Sequence, residues 1–320
     1  MRILITGATG LVGSCIVRHC QEQKIDVNYL TTRKGKVKNQ HDFQGYYWDP
    51  ETRQIDPDCF KDVSAVINLA GSPISQRWTS SNKRRILSSR INSLKTLSHG
   101  IQQLHSPGDI HLITASAIGV YPDSLSNFYE ESEKEVDKSF LGEVVTAWEQ
   151  EADAIEKLGP KVTKVRIGLV LSAEGGALPE IAKPIRYFVG AAFGSGEQWQ
   201  SWIHINDLAR MFLYIVDQRL EGIFNGVAPN PVTNGKLVRE IANLLNKPLI
   251  LPNIPEPAMK LLLGEMSYIL FASQRVCSRK IENEGFQFYH ANIRKALQDV
   301  FGREGHETSH HSTFSHHFWG

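Results

Sequence analysis

Three glycines stand at Gly7, Gly10 and Gly13 in the opening stretch "MRILITGATGLVGSCIVRHC". The stretch reads as an apolar strand, a tight turn and a helix, and this spacing suits phosphate chemistry. Gly7 lets the chain turn sharply, and Gly10 lets backbone approach a pyrophosphate. Gly13 lets the helix pack close to the strand, while the helix N-terminus offers free N–H groups and the positive end of its dipole. Thr9 adds a hydroxyl. A glycine-rich turn serving packing alone is the weaker reading, because this one sits at a first strand–helix junction.

The second strand bears on which nucleotide such a turn would hold. NAD sites usually end that strand with a carboxylate for the ribose 2′-hydroxyl. Here it ends Thr31-Thr32-Arg33-Lys34, with Lys36 and Lys38 following. A cation in place of the acid favours an adenosine 2′-phosphate, with Arg33 as a planar fork. NADP(H) is therefore expected over NAD, and a solvated basic loop is the alternative.

The elements that must position these residues follow from hydrophobic periodicity. Strands are expected at 2–6, 27–32, 65–71, 110–117, 162–171 and 222–228, and helices at 11–23, 80–104, 140–158 and 205–218. Asn206 or Asp207 is available to cap the last of these. Strand–helix alternation over the first 170 or so residues argues for an α/β fold, a doubly wound parallel sheet. The expected division is a nucleotide-binding unit over 1–171 and 203–228. A smaller C-terminal lobe, rich in helix, takes 172–202 and 229–302. The His-rich stretch 303–320 is expected to be a loose tail. Weak metal capture there by His306, His310, His311, His316 and His317 is the minor alternative; their spacing fits no compact site, so no metal centre is expected.

Composition narrows the function classes. The chain has 320 residues, 35 basic and 34 acidic, for a net charge of +1. Such a balance gives no general pull towards nucleic acid or anionic membrane. Four scattered cysteines form no CxxC pair, which suits a reduced compartment. No apolar run approaches the ~18 residues of a membrane span. A cytoplasmic protein with a small-molecule substrate is expected.

Several segments together resemble the extended short-chain dehydrogenases/reductases, and within them the sugar-nucleotide epimerase-like (YfcH-like) subfamily. They are "TGATGLVG", "AVINLAG", "NLAGSPI…RW", "SSRINSLKTL", "VRIGLVLSAEGGAL", "WIHINDLA", "FNGVAPNPVTN" and "SQRVCSRKIENEGFQF". The resemblance implies a Rossmann-like domain that binds NADP(H). It assigns Gly7, Thr9, Gly10, Leu11 and Val12 to the pyrophosphate, and Thr32 and Arg33 to the adenosine side, where Lys34 of the basic strand end is a further cofactor candidate. Leu69, Ala70 and Gly71 line the adenine and ribose, with Arg90 a further cofactor contact. By analogy with the family, two long exposed helices would pair chains into a homodimer.

The superfamily moves protons through Tyr-x-x-x-Lys with a Ser or Thr. None of the nine tyrosines has lysine four positions on. The helix expected to carry the pair, "FLGEVVTAWEQEADAIEKL", has neither residue in its first two turns. The usual serine position falls on Ala117, beside Ser116. Ser116 and Thr114 could still donate hydrogen bonds near a nicotinamide, and Tyr121 could replace the acid from its loop or simply pack. Tyr129 with Lys134 is a weaker pairing. Arg166, a charge inside an apolar strand, reads equally as an internal salt bridge or a cofactor contact. On the substrate side stand Trp202, His204 and Asn225. Trp199 and Trp202 suit a stacking platform or lobe packing, and His204 with Asp207 suits a site or a helix cap. Asn225 suits substrate binding or a turn. The reading is an NADP(H)-binding epimerase-like oxidoreductase on a small polar substrate, with a non-catalytic NADP(H)-binding protein as the alternative.

Overall fold

The structure, a computed structural model, describes the backbone of residues 1–310 and the side chains of 1–302. The first half runs β1 (Arg2–Thr6), α1 (Leu11–Glu22), β2 (Asp26–Thr31), β3 (Phe43–Asp49), β4 (Gln54–Ile55), β5 (Val63–Asn68), α2 (Ser80–Gln102), β6 (His111–Ala117) and β7 (Phe128–Tyr129). Then come α3 (Phe140–Glu156), β8 (Lys161–Ile167), β9 (Leu169–Leu171), α4 (Ala177–Arg186), β10 (Trp199–Gln200), β11 (Trp202–His204), α5 (Ile205–Gln218) and β12 (Gly222–Gly226). The C-terminal part holds β13 (Val232–Thr233), α6 (Asn234–Leu244), α7 (Glu256–Leu263), α8 (Tyr268–Phe271), β14 (Arg275–Val276), α9 (Arg279–Asn283) and α10 (Ile293–His310).

Eight strands form one sheet in the order β12-β8-β6-β5-β1-β2-β3-β4. All its pairings are parallel except β3 with β4. The chain leaves β1 towards β2 and β3, then returns to the other flank of β1 with β5. The sheet thus reverses direction between β1 and β5, where a doubly wound fold opens a crevice at its carboxyl edge. The inner strands are buried on both faces, Ile3, Leu4, Ile5, Val66, Ile67, Leu112 and Ile113 completely. That burial explains their near-continuous apolar sequence. A second core cluster, around Leu171, Leu178, Trp202, Leu237 and Leu297, sits under α4, α6 and α10.

Several boundaries differ from expectation for identifiable reasons. The expected strand 162–171 breaks at Gly168, where a Cβ would lie 2.2 Å from the Ser201 carbonyl oxygen. Beyond the break, β9 leaves the sheet and pairs in parallel with β11. The strand expected over 65–71 ends at Asn68, because Leu69 and Ala70 donate their N–H groups to Thr6 Oγ1. β3 was not expected. Its residue Gly45 lies under the Tyr29 ring, where a Cβ would come within 2.5 Å. The backbone of α10 continues to His310, so the first part of the expected tail is helical. The metal capture considered for the tail histidines lies outside the described side chains.

His111 opens β6 completely buried, its Nε2 2.8 Å from Thr163 Oγ1. Burial, helped by the Arg219 charge, pushes this imidazole down to about 4. The unfolded chain therefore binds a proton that the folded chain refuses between about pH 6.5 and 4. Stability should be fully present above pH 6.5 and fall by up to roughly 3 kcal/mol as the pH drops through this window. Urea unfolding at stepped pH should show this slope, and His111→Gln should flatten it. A second test concerns the glycines. A Cβ on Gly13 would lie 2.1 Å from the Gly7 carbonyl oxygen, whereas one on Gly35 would meet nothing within 4 Å. Gly13→Ala should cost about 2 kcal/mol or more, while Gly35→Ala should change stability by less than about 1 kcal/mol. Thermal melts compare the two directly.

Candidate functional site

The parallel register brings four strand ends to one edge. Thr6 pairs with Leu30 of β2 and with Asn68 of β5, and Asn68 pairs with Thr114 of β6. The segments 7–13, 32–34 and 69–71 therefore meet where the crevice opens. Gly7 has φ +68, and a Cβ there would lie 3.1 Å from the Leu69 backbone, so the turn is pressed against Leu69 and Ala70. Gly10 donates its N–H to Gly7 O at 2.9 Å and begins α1 without a side-chain cap. No acidic residue stands in the first turn of α1. The N–H groups and the positive helix end at Leu11, Val12 and Gly13 are therefore not offset by a local carboxylate. Thr9 is exposed beside them. These features fit the phosphates of a dinucleotide.

Thr32, Arg33 and Lys34 are exposed at the end of β2. Arg33 N–H turns back to Thr31 Oγ1 at 3.2 Å, which fixes the backbone and leaves the guanidinium outward. Lys34 Nζ lies 4.9 Å from the Tyr47 ring centre. No ion pair to Arg33 or Lys34 occurs among the described residues. Across the crevice, α2 carries Arg90 to the back of Gly71. Its Nη1 donates to the carbonyls of Ser72 at 3.1 Å and Ile86 at 2.9 Å, and its guanidinium covers the Trp148 ring at 5.0 Å. Burial lowers its pKa to about 10, and no described carboxylate pairs with it.

A hydroxyl–amide ladder beneath the edge was not foreseen. Thr6 Oγ1 donates to Asn68 Oδ1 at 2.7 Å, and Asn68 Nδ2 donates to Thr114 Oγ1 at 3.1 Å. Thr114 Oγ1 donates in turn to Ala115 O. Thr6 also holds the N–H groups of Leu69 and Ala70, so it sets the loop that faces the glycine turn. Polar residues at the ends of adjacent apolar strands were the available signal. Thr114, expected as a cofactor contact, is buried in this ladder.

The candidate catalytic residues are brought together, but inward. Ser116 Oγ donates to Glu149 Oε1 at 2.6 Å. Arg166 donates from Nε and Nη2 to the two Glu149 oxygens, each at 2.9 Å, and from Nη1 to the Tyr121 hydroxyl at 3.0 Å. The Tyr121 hydroxyl donates to Asn225 Oδ1 at 2.7 Å, and Asn225 Nδ2 donates to Cys277 O at 2.9 Å. Tyr121 is 1% exposed and stacks on Tyr129 at 5.2 Å. Burial pushes its phenol up to about 12, against the pull of Arg166. For Glu149, burial pushes upward, but the Arg166 bonds and charge win and hold it below the usual carboxylate range. Of the two readings of Arg166, the structure realises the internal salt bridge; its three bonding nitrogens face Glu149 and Tyr121 rather than a ligand. Asn225 is likewise a fully buried link and not a residue of an open cleft.

α3 begins with Ser139 as cap, and its first two turns carry neither tyrosine nor lysine. Leu141 packs where a Cβ on Gly119 would touch it at 3.2 Å, and Val145 is buried beside Val120 and Tyr121. Tyr129 is buried while Lys134 is exposed, and no hydrogen bond joins them among the described residues. Trp202 is buried in the lobe core and donates to Asn230 O at 2.9 Å, so it forms no platform. Trp199 is half-buried and lies over the Arg275 guanidinium at 4.5 Å. The cap of α5 is His204, whose Nδ1 accepts from Asn206 N–H at 3.2 Å, and not Asn206 or Asp207. His204 stacks on His290 at 3.8 Å, and its Nε2 lies 3.1 Å from Asp299. The fully buried Asp207 accepts from the N–H groups of Tyr289 and His290 and from Arg210. These three residues fasten the C-terminal segment to α5.

Removing one member of the buried pair should be costly. Glu149→Gln leaves Arg166 charged without a counter-ion, and stability should fall by about 3–5 kcal/mol. The sign with pH is also set. A carboxylate held low stabilises the fold above its unfolded value and loses that contribution as pH falls through its folded value. Chemical denaturation of both proteins at neutral and acid pH should show the gap closing on the acid side.

Comparison with known proteins places this geometry. Residues 3–225 match the model of the NAD dependent epimerase/dehydratase family, and residues 254–300 match a domain of unknown function, DUF1731. An epimerase family protein of Staphylococcus epidermidis (strain ATCC 35984) is 37% identical over 300 residues, covering 93% of this chain and 98% of the relative. One from Staphylococcus aureus (strain MRSA252) is 35% identical, covering 94% and 99%. Among solved structures, the human epimerase family protein SDR39U1 with NADPH superposes with a TM-score of 0.80 at 25% identity, covering 94% of this chain and 99% of that one. The nucleoside-diphosphate sugar epimerase of Corynebacterium glutamicum gives 0.76 at 28% identity, over 95% of this chain and 58% of that one. MoeE5 in complex with UDP-glucose and NAD, 19% identical with a TM-score of 0.76, shares the fold. With its family model spanning more than half the chain, this protein belongs to the NAD dependent epimerase/dehydratase family.

Proposed function

We propose that the chain binds NADP(H) in the crevice between β1, β2 and β5 and acts as an epimerase-like oxidoreductase on a small polar substrate. Nucleotide-linked sugars are the first substrate class to test. The observation that carries the cofactor choice is the end of β2, where Arg33 and Lys34 stand exposed and no carboxylate is present. A similar human protein was solved with NADPH, which supports the choice. When bound, the nicotinamide would supply or accept the hydride. The chain's own part is to hold the pyrophosphate on the first turn of α1 and the 2′-phosphate at Arg33. Arg90 adds a desolvated positive charge behind Gly71. Ser116 and Tyr121 brace the wall of the site through Glu149 and Arg166, and the proton donor lies outside the usual pair.

A second reading, an NADP(H)-binding regulatory or interaction protein without turnover, has one specific observation in its favour. The Ser116 and Tyr121 hydroxyls are buried and already donate to Glu149 and Asn225. The two readings separate on one assay. Purified protein with NADPH and a panel of nucleotide-sugars and carbonyl compounds is followed by nicotinamide absorbance and product mass. Turnover supports the enzyme, whereas tight NADPH binding with no product on any substrate supports the regulator. Under either reading Arg33→Ala should weaken NADPH binding by about tenfold to a hundredfold, the worth of one or two charge-assisted hydrogen bonds. NADH binding should barely change. Equal weakening of both would contradict the 2′-phosphate assignment.

A further inference from the structure

The whole-chain charge balance conceals a local imbalance on the C-terminal lobe. Two loops there expose six large apolar side chains: Tyr187 (70%), Phe188 (46%), Val189 (52%), Leu249 (37%), Ile250 (67%) and Leu251 (46%). The loops are neighbours in space. Ala192 and Gly194 exchange hydrogen bonds with Ile254, and Phe193 bridges Ile254 in parallel. Lys247 Nζ lies 4.2 Å from the Phe188 ring centre, which joins the two loop tips. The patch is therefore continuous, and contiguous apolar surface of this kind marks an interaction site. Phe188 also has φ +63, a left-handed conformation that bulky side chains rarely adopt. The backbone holds this aromatic outward with the residue nearly half exposed.

Charge around the patch has one prevailing sign. Lys183 stands one helical turn before Tyr187, and Lys247 lies over Phe188. Lys236 and Arg239 are exposed along the cleft that Leu249 and Leu251 border. Of the two carboxylates on that cleft, Glu240 is held by Arg294 at 2.9 Å, leaving Glu197. Apolar tips ringed by lysine and arginine are the surface chemistry that enters an anionic bilayer interface: the tips displace headgroup water while the cations meet lipid phosphate. We propose that the lobe docks on anionic lipid surfaces through the 187–189 and 249–251 loops. The docking face is separate from the nucleotide crevice and does not depend on the cofactor assignment.

Co-sedimentation of the full chain with vesicles tests this. Phosphatidylcholine vesicles containing phosphatidylglycerol should capture the protein, and pure phosphatidylcholine vesicles should not. Phe188→Ser with Ile250→Glu should abolish capture while the thermal melt stays within a few degrees of the parent. Lys183→Glu with Lys247→Glu should weaken capture by about tenfold or more, as loss of surface cations requires. Equal recovery with both vesicle types, or capture unchanged in the Phe188/Ile250 variant, would overturn the proposal. So would a parent that light scattering shows to be a dimer and that this variant makes monomeric, because a second copy would then cover the patch.

Discussion

Arg166 and Glu149 meet through two parallel hydrogen bonds of 2.9 Å, with both side chains buried. Two charges so buried persist only when their remaining hydrogen-bonding groups are also satisfied. That demand organises the surroundings. The second donor to Glu149 is Ser116 of β6, and the second acceptor for Arg166 is the Tyr121 hydroxyl. Tyr121 must then give its own proton to Asn225 of β12, whose amide reaches the C-terminal segment at Cys277. One ion pair thus ties α3, β6, β8, β12 and the C-terminal lobe together. It also engages the hydroxyls of Ser116 and Tyr121, the two residues considered as proton donors, in bonds to Glu149 and Asn225.

The other side of the crevice works by close approach rather than by charge pairing. Gly7 and Gly13 let the first turn of α1 lie on the end of β1, and Thr6 pulls Leu69 and Ala70 against it. The outcome is a cradle with a positive helix end and no acidic residue in its first turn. The half of the site that keeps the family's motif is therefore the glycine turn proposed to hold phosphate, and the half that departs from it is the one that would transfer protons. A family membership stated by fold alone would miss that division.

Much of this division was legible from residues. The glycine spacing, the basic end of β2 and the absence of lysine four places after any tyrosine are all local facts, read by counting. What escaped depends on partners far away in sequence. Tyr121 and Asn225 lie 104 positions apart, and Arg166 finds Glu149 across a strand and a helix 17 positions away. His204 reads as a site residue or as part of a helix cap until its own cap of α5 and its stack on His290 are seen. Trp202 reads equally as a platform or as lobe packing until the lobe core closes over it. The break at Gly168 required knowing that Ser201 would come within contact distance. Arg166, Tyr121, Asn225, His204 and Trp202 are singled out from the sequence, whereas Glu149 and the break at Gly168 are not. The partners of the residues singled out, which alone separate structure from catalysis, lay outside any local window.

The proposed NADP(H) cradle and the bound Ser116 and Tyr121 hydroxyls of the Arg166–Glu149 network stand or fall together. A crystal structure with NADPH bound tests them most directly. The account predicts the pyrophosphate on the first turn of α1, the 2′-phosphate against Arg33, and the Tyr121 hydroxyl still between Arg166 and Asn225, out of hydrogen-bond reach of the nicotinamide face. A 2′-phosphate held away from Arg33, or a Tyr121 hydroxyl swung out to the nicotinamide, would contradict it.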